Sequence, residues 1–160
     1  MSQPPLSICR AGEAHRALVF EWVNDPESRA NSFTTRPIDW EEHCAWFARL
    51  LQDPGRILYV ALAGAEPIGY ARFESAGTGQ ADVSIALDVA WRGRRVSAPV
   101  IRLATAAAAR ELGLETVHAY VKAQNDVSVR AFLTAGYLQQ GTTLRRGIPA
   151  VHLACAILTR

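Results

Sequence analysis

Leu87-Asp88-Val89-Ala90-Trp91-Arg92-Gly93-Arg94-Arg95-Val96-Ser97-Ala98 is the stretch on which the fold turns. Residues 81–88 alternate, with Val83, Ile85 and Leu87 facing one way and Asp82, Ser84 and Asp88 the other, the period of a half-buried strand. Residues 98–112 read as a long helix with an alanine-rich inner side, stopped by Gly113. A short basic loop joins the two. A helix N-terminus carries unpaired backbone N–H groups and about half a positive charge. Three arginines beside it make an anion site suited to phosphates, although the same residues also suit a solvated basic turn.

Working outward, runs 57–63, 68–75 and 81–88 are separated by Gly64-Ala65-Glu66-Pro67 and Gly77-Thr78-Gly79, which is the spacing of a meander. Before them lie a short strand at 6–10 and a helix over 13–23, with Ala17, Leu18, Val19 and Trp22 on its apolar face. Asn24-Asp25-Pro26 stops that helix. A second helix spans 40–51, capped by Asp39, with Glu42 placed as in a capping box. After the long helix come a strand at 116–122, a helix at 126–135 started by Asn125 and ended by Gly136, and strands at 137–140 and 150–158. The expected class is α/β (α+β): a mostly antiparallel mixed sheet of six to seven strands, about four helices on its two faces, and a single domain over residues 1–160.

Composition narrows the function. At 160 residues with 49% hydrophobic and 20% charged, the chain folds into a globule without a disulfide or metal staple. A net charge of +2 is too small to argue for nucleic acid. Arg92, Arg94, Arg95, Arg145 and Arg146 come with no recognition helix or aromatic RNA motif. Cys9, Cys44 and Cys155 are odd in number and in no metal spacing, which fits a reduced, cytoplasmic setting and no metal. The N-terminus does not read as a signal peptide, and no apolar run reaches the roughly 18 residues of a membrane span.

A second motif follows the long helix: Asn125-x-x-Ser128-x-x-x-Phe132-x-x-x-Gly136-Tyr137, after Gly113-Leu114 and a strand. Ordered behind Arg92-Gly93-Arg94-Arg95-Val96-Ser97, it resembles the GCN5-related N-acetyltransferase (GNAT) superfamily over roughly residues 6–158. The resemblance implies the GNAT fold, acetyl-CoA as acyl donor, and direct attack of an amine on the thioester. It implies that Ile85 and Leu87 border the pantetheine arm. Arg92, Gly93, Arg94, Arg95, Val96, Ser97 and Ala98 would hold the pyrophosphate, with Asn125 and Ser128 beside the cofactor. Three positions depart from the family pattern. Arg95 and Ser97 stand where the loop has glycine or alanine, and Phe132 stands where many relatives carry a tyrosine acid. Arg95 strains the loop or adds a phosphate contact; Ser97 is placed to cap the helix. Phe132 also suits a core aromatic.

An amine must lose its proton to attack, so a base within reach is expected. Asp82, Ser84, Glu74 and His118 are the candidates on strand faces toward the cleft, His118 with the intrinsic pKa nearest neutrality. A solvated carboxylate at Asp82 and a satisfied half-buried imidazole at His118 are the structural alternatives. For the acceptor, Phe20-Glu21-Trp22-Val23-Asn24-Asp25, with Arg29, Asn31, Ser32, His43 and Trp46, is similar to acetyltransferases of 4-amino-4,6-dideoxy nucleotide sugars (pseudaminic-acid type), with Val23 in place of an arginine. That similarity makes Trp22, Asn24, Arg29, Asn31, Ser32, His43 and Trp46 candidate acceptor contacts. A nucleotide sugar is then the leading acceptor, with protein N-termini, small amines and a non-catalytic CoA-binding module as alternatives. Val151, Leu153, Ala154 and Ile157 suit either a homodimer edge or a buried strand.

Overall fold

The computed structural model describes residues 2–158. Among them seven strands form one sheet: β1 (Leu6–Arg10), β2 (Arg56–Ala63), β3 (Glu66–Ser75), β4 (Gln80–Leu87), β5 (Thr116–Lys122), β6 (Leu138–Arg145) and β7 (Ile148–Ala156). Their order is β1-β2-β3-β4-β5-β7-β6. Every neighbouring pair is antiparallel except β4 and β5, which the long helix joins as a parallel pair. The helices are α1 (Arg16–Asn24), α2 (Pro26–Asn31), α3 (Trp40–Gln52), α4 (Ser97–Leu112) and α5 (Asp126–Thr134). The expected mixed class is the observed one, with one more helix than expected. No helix among the described residues is long and apolar enough to cross a membrane.

Period-two alternation sorts the strand side chains between two helical layers. Ile101, Ala104 and Ala108 of α4 pack on Tyr59, Phe73, Val83, Val117, Ala119 and Leu153. The alanines let the helix axis come close to the sheet. On the opposite face Val19 and Trp22 of α1 and Phe47 and Leu50 of α3 cover Leu58, Val60 and Tyr70. Each large side chain so buried stabilises the fold by about 1.5–3 kcal/mol. Val151 and Leu153 join the α4-side core, so β7 is a buried strand.

Three local readings change. The Asn24-Asp25-Pro26 stop also starts α2: the Asp25 carboxylate accepts from Ser28 N–H at 3.1 Å and Pro26 takes the first helical position. Glu42 does not close a capping box, because Arg36 engages both its oxygens at 2.7 and 3.1 Å. Asp39 still caps α3, accepting from Glu42 N–H at 2.8 Å. The penultimate strand runs on to Arg145 and turns into β7 through Arg146 (φ 51) and Gly147 (φ 75), the two left-handed residues of a tight hairpin.

β4 and β5 stay paired only from Gln80–Thr116 to Val83–Ala119. Beyond that point β4 continues on β3 while β5 continues on β7, and the sheet opens into a V. The helices on its α1 side sit over this opening.

Candidate active site

The V leaves the β5-facing backbone of residues 84–87 without a strand partner. Such an edge pairs readily with an extended arm. At its end Asp88 caps a single 3-10 turn, Val89–Trp91, and its other carboxylate oxygen accepts from the Trp22 indole at 3.0 Å. The chain then passes through Gly93 (φ 74) and Arg95 (φ 60) before Val96, which is fully buried, anchors the start of α4. Ser97 is the first residue of α4 and its hydroxyl caps nothing. Asp25, Asp39 and Asn125 cap α2, α3 and α5, but no side chain caps α4. Pro99 has no N–H, so the first turn offers the N–H groups of Ser97 and Ala98 beside a loop with two left-handed residues, the kind of backbone concavity that takes anions.

The three arginines divide. Arg92 turns away from the loop mouth and joins Asp25 at 2.6 Å, Glu27 at 2.8 Å and the Leu87 carbonyl at 3.1 Å. Burial pushes the Asp25 carboxyl up, but the bonds from Arg92 and from Ser28 N–H outweigh it and hold it below the usual range. Arg94 lies over the Trp91 ring at 3.9 Å, and Arg95 is exposed. Asn125 accepts from Ser128 N–H at 3.3 Å, so both residues form the start of α5.

Most candidate acceptor contacts serve the scaffold instead. Asn24 brackets the Ile38 backbone, donating to its carbonyl at 2.9 Å and accepting from its N–H at 2.8 Å. Arg29 donates to the carbonyls of Val23, Thr34 and Arg36 and to the Ser32 hydroxyl, which knots α2 to the following loop. His43 is 1% exposed, bonded to the Arg16 carbonyl at 2.8 Å and stacked on Phe47. Burial pulls its imidazole pKa down. Trp22 is buried under the Asp88 bond, and Asn31 is exposed at the end of α2. Trp46 is half-buried with the Arg72 guanidinium over its ring at 5.3 Å.

The base candidates lie on the α1 side of β3, β4 and β5, but they do not converge. Glu74 pairs with Arg56 at 3.3 Å, and Ser84 accepts from Arg72 at 3.4 Å. Asp82 meets Arg145 at 3.6 Å. His118 is hydrogen-bonded on both ring nitrogens, Nδ1 to His152 Nε2 at 2.9 Å and Nε2 to Gln80 Oε1 at 2.6 Å. The His152 ring stacks flat on Tyr120 at 4.6 Å, and the Arg145 guanidinium also lies over the Tyr120 ring at 4.0 Å. Since Gln80 Oε1 can only accept, His118 Nε2 carries the proton, its Nδ1 accepts, and His152 donates. The pair therefore has room for one further proton. His152, Gln80 and Arg72 were not among the residues singled out by sequence. The signal available was the alternation of β7, which sets His152 opposite Tyr120. Among the described residues no group of side chains is placed to hold a metal ion. A hollow of about 230 Å3 between Gly55, Gly77–Gln80 and Leu114 lies at the closed end of the V and offers no titratable side chain.

The sequence matches the model of the Acetyltransferase (GNAT) domain over residues 6–138, most of the chain. The chain belongs to that family. It is an acetyl-CoA-dependent N-acetyltransferase. Among curated proteins none matches this sequence. Among solved structures, aminoglycoside acetyltransferase AAC(6')-Ib in complex with coenzyme A superposes with TM-score 0.81 at 17% identity, covering 95% of both chains. Spermidine N-acetyltransferase from Vibrio cholerae, with CoA and spermine, gives TM-score 0.85 at 14% identity over 94% of this chain and 95% of that one. RimL, a ribosomal L7/L12 α-N-protein acetyltransferase in complex with CoA, gives 0.82 at 14% over 98% of both.

Two departures from the GNAT pattern now have a structural account. Phe132 is 2% exposed and packs edge-on against Tyr137 at 5.0 Å, so it is a core aromatic. Arg95 adopts the left-handed conformation that glycine would take there, at a cost of about 1–2 kcal/mol for a residue with a Cβ. Arg95→Gly is expected to hold or raise Tm by up to about 4 °C, since relief of that cost is partly offset by the freer unfolded chain. The same variant is expected to bind acetyl-CoA several-fold more weakly, which a melting curve and a calorimetric titration read separately.

Proposed function

We propose that the chain acetylates a primary amine that enters the V from the α1–α2 side, while acetyl-CoA lies along β4 and the loop before α4. The observation that carries this is the uncapped N-terminus of α4 standing at the end of a strand edge with no partner. Together they offer phosphate-binding N–H groups and a backbone ladder for an extended arm. Arg94 and Arg95 supply the loop's charge, because Arg92 is committed to Asp25 and Glu27. Ile85 and Leu87 border the arm, and backbone N–H groups of residues 84–87 are the donors available to a developing oxyanion.

Acetyl-CoA supplies an activated acyl group. In the overall exchange a C–N bond forms and a C–S bond breaks; one proton leaves the amine and one reaches the thiolate. This chain's part is to orient the amine, take its proton and shield the site. The His118–His152 pair is the proton acceptor with room for a proton. It lies about 10 Å along β4 from Ile85, three residues at strand rise, so the proton crosses by water. Phe132 cannot return a proton to sulfur. A thiol has an ordinary pKa of about 8.5, so its thiolate leaves without an acid.

A thermal-shift experiment tests the assignment. Acetyl-CoA at about 100 times Kd stabilises the fold by about 2.7 kcal/mol, several degrees in Tm, and ATP or NAD at the same concentration does not. Equal shifts with all three ligands, or none with acetyl-CoA, would contradict it.

A further inference from the structure

The acceptor side of the V is basic. On β3, Arg72 reaches Ser84, the first β4 residue past the last β4–β5 pair. On β5, Tyr120 is the matching residue across the opening, and Arg145 lies over its ring. At the end of β5 Lys122 is only 6% exposed, and its ammonium donates to the Ala30 carbonyl of α2 at 2.8 Å. Neither Arg72 nor Lys122 has a carboxylate within ion-pair distance among the described residues. The neighbouring carboxylates on this face are taken by other cations: Asp82 meets Arg145 at 3.6 Å and Glu74, beside it on β3, meets Arg56 at 3.3 Å. Arg72 and Lys122 thus stand at the opening with no carboxylate partner of their own among the described residues.

Such unpaired charge is costly unless something offsets it. The Lys122 ammonium has one carbonyl partner for its three N–H donors, so two are left to meet an anion. Tyr70 adds to the case. It is 7% exposed, sits on β3 opposite Ala86 of the V, and forms no hydrogen bond through its hydroxyl to another described residue. Burial pushes that hydroxyl's pKa up, and the positive fields of Arg72 and Arg29 pull against it. Arg29 itself is tied to carbonyl and hydroxyl oxygens, so its charge too is unpaired by any carboxylate.

We infer that the acceptor amine carries a negatively charged group, a phosphate or carboxylate, which Arg72 and Lys122 meet while the amine points down the V. This deepens the acetyltransferase reading and rests on it. It sets the acceptor apart from polycations, which this face repels. It also leaves the nucleotide-sugar acceptor chemically open: Arg29 is held by backbone carbonyls and the Ser32 hydroxyl, whereas Arg72 touches only Ser84 and the Trp46 ring and has no carboxylate partner among the described residues.

The experiment compares kcat/KM for glucosamine, glucosamine 6-phosphate, glycinamide, glycine and spermidine with acetyl-CoA saturating. The phosphorylated and carboxylated amines are expected to exceed their neutral counterparts by tenfold or more, with spermidine slowest. Arg72→Gln is expected to shrink that ratio toward one by raising KM for the anionic amine, with the acetyl-CoA Kd unmoved. Lys122→Met, which keeps the buried stem, is expected to act in the same direction, and circular dichroism checks that each variant is folded. Preference for spermidine, or a charge ratio unchanged in folded Arg72→Gln, would overturn the inference and leave the acetyltransferase assignment standing. Acetyl-CoA binding with no turnover of any amine would overturn the assignment itself, and the inference with it.

Discussion

Gly93→Val is expected to leave the protein folded and to weaken acetyl-CoA binding by tenfold or more. Gly93 stands at φ 74, and a Cβ built there meets no atom within 4 Å. The substitution therefore brings no clash with the core, and its effect falls on the loop. A β-branched side chain is costly in the left-handed region, by more than the roughly 1–2 kcal/mol of an ordinary residue. The exposed loop escapes that cost by turning out of its bound shape, and the N–H groups of Ser97 and Ala98 lose their common direction. Each tenfold in Kd corresponds to about 1.4 kcal/mol, so the cost alone accounts for that loss. Calorimetry gives the Kd and circular dichroism the fold. Unchanged affinity in a folded variant would move the phosphates away from this loop.

The second large effect is expected at the imidazole pair. His152→Ala removes the open ring nitrogen of the pair, Nδ1, and should lower kcat/KM by about 10²–10⁴-fold, the range of general-base contributions. His152→Gln restores a hydrogen bond to His118 but takes no proton, so it should rescue stability and not rate. Burial is the first cause that holds the His152 imidazole below its ordinary pKa, followed by the field of His118; Asp82 opposes both and Arg145 supports them. The sign follows directly. The unfolded chain protonates this imidazole near pH 6.5 while the folded chain resists, so stability is complete above that pH and declines as pH falls below it. Buried His43 acts in the same sense. In the rate, the His152 imidazole stays unprotonated to a lower pH than free imidazole, and the acid limb of kcat/KM should begin below about 6.5. Loss of that limb in folded His152→Gln is the expected result; an identical profile would remove the pair from the reaction.

What the sequence made legible was local. The Asn125 cap, the Asp39 cap and the left-handed Gly113 at the end of α4 are written in one turn of chain each, and all three are observed. The alternation of residues 81–88 set Val83 in the core, with Asp82 and Ser84 opposite. What failed was long-range. Arg92 meets Asp25 across 67 positions, and His118 meets His152 across 34. Nothing in the composition of either stretch announces such a partner. Trp22, Asn24, Arg29 and His43 have the chemistry to hold a sugar, and that chemistry also suits tying α1 to the end of β4, through Trp22, and to α2 and the α3 region, through the other three. Pro26 was legible as a break and not as a beginning, because the Asp25 side chain that caps α2 serves either reading. The basic character of the acceptor face emerges only when β3, β5 and β6 are laid side by side, since Arg72, Lys122 and Arg145 are scattered through the chain.

The most direct measurement is acetyl transfer itself: CoA thiol release from acetyl-CoA, followed with and without a primary amine, with the amine product identified by mass spectrometry. The expected result is thiol release that depends on the amine and matches acetylated product one to one. Thiol release at the same rate without amine, or tight acetyl-CoA binding with no acetylated product from any amine, would contradict the account.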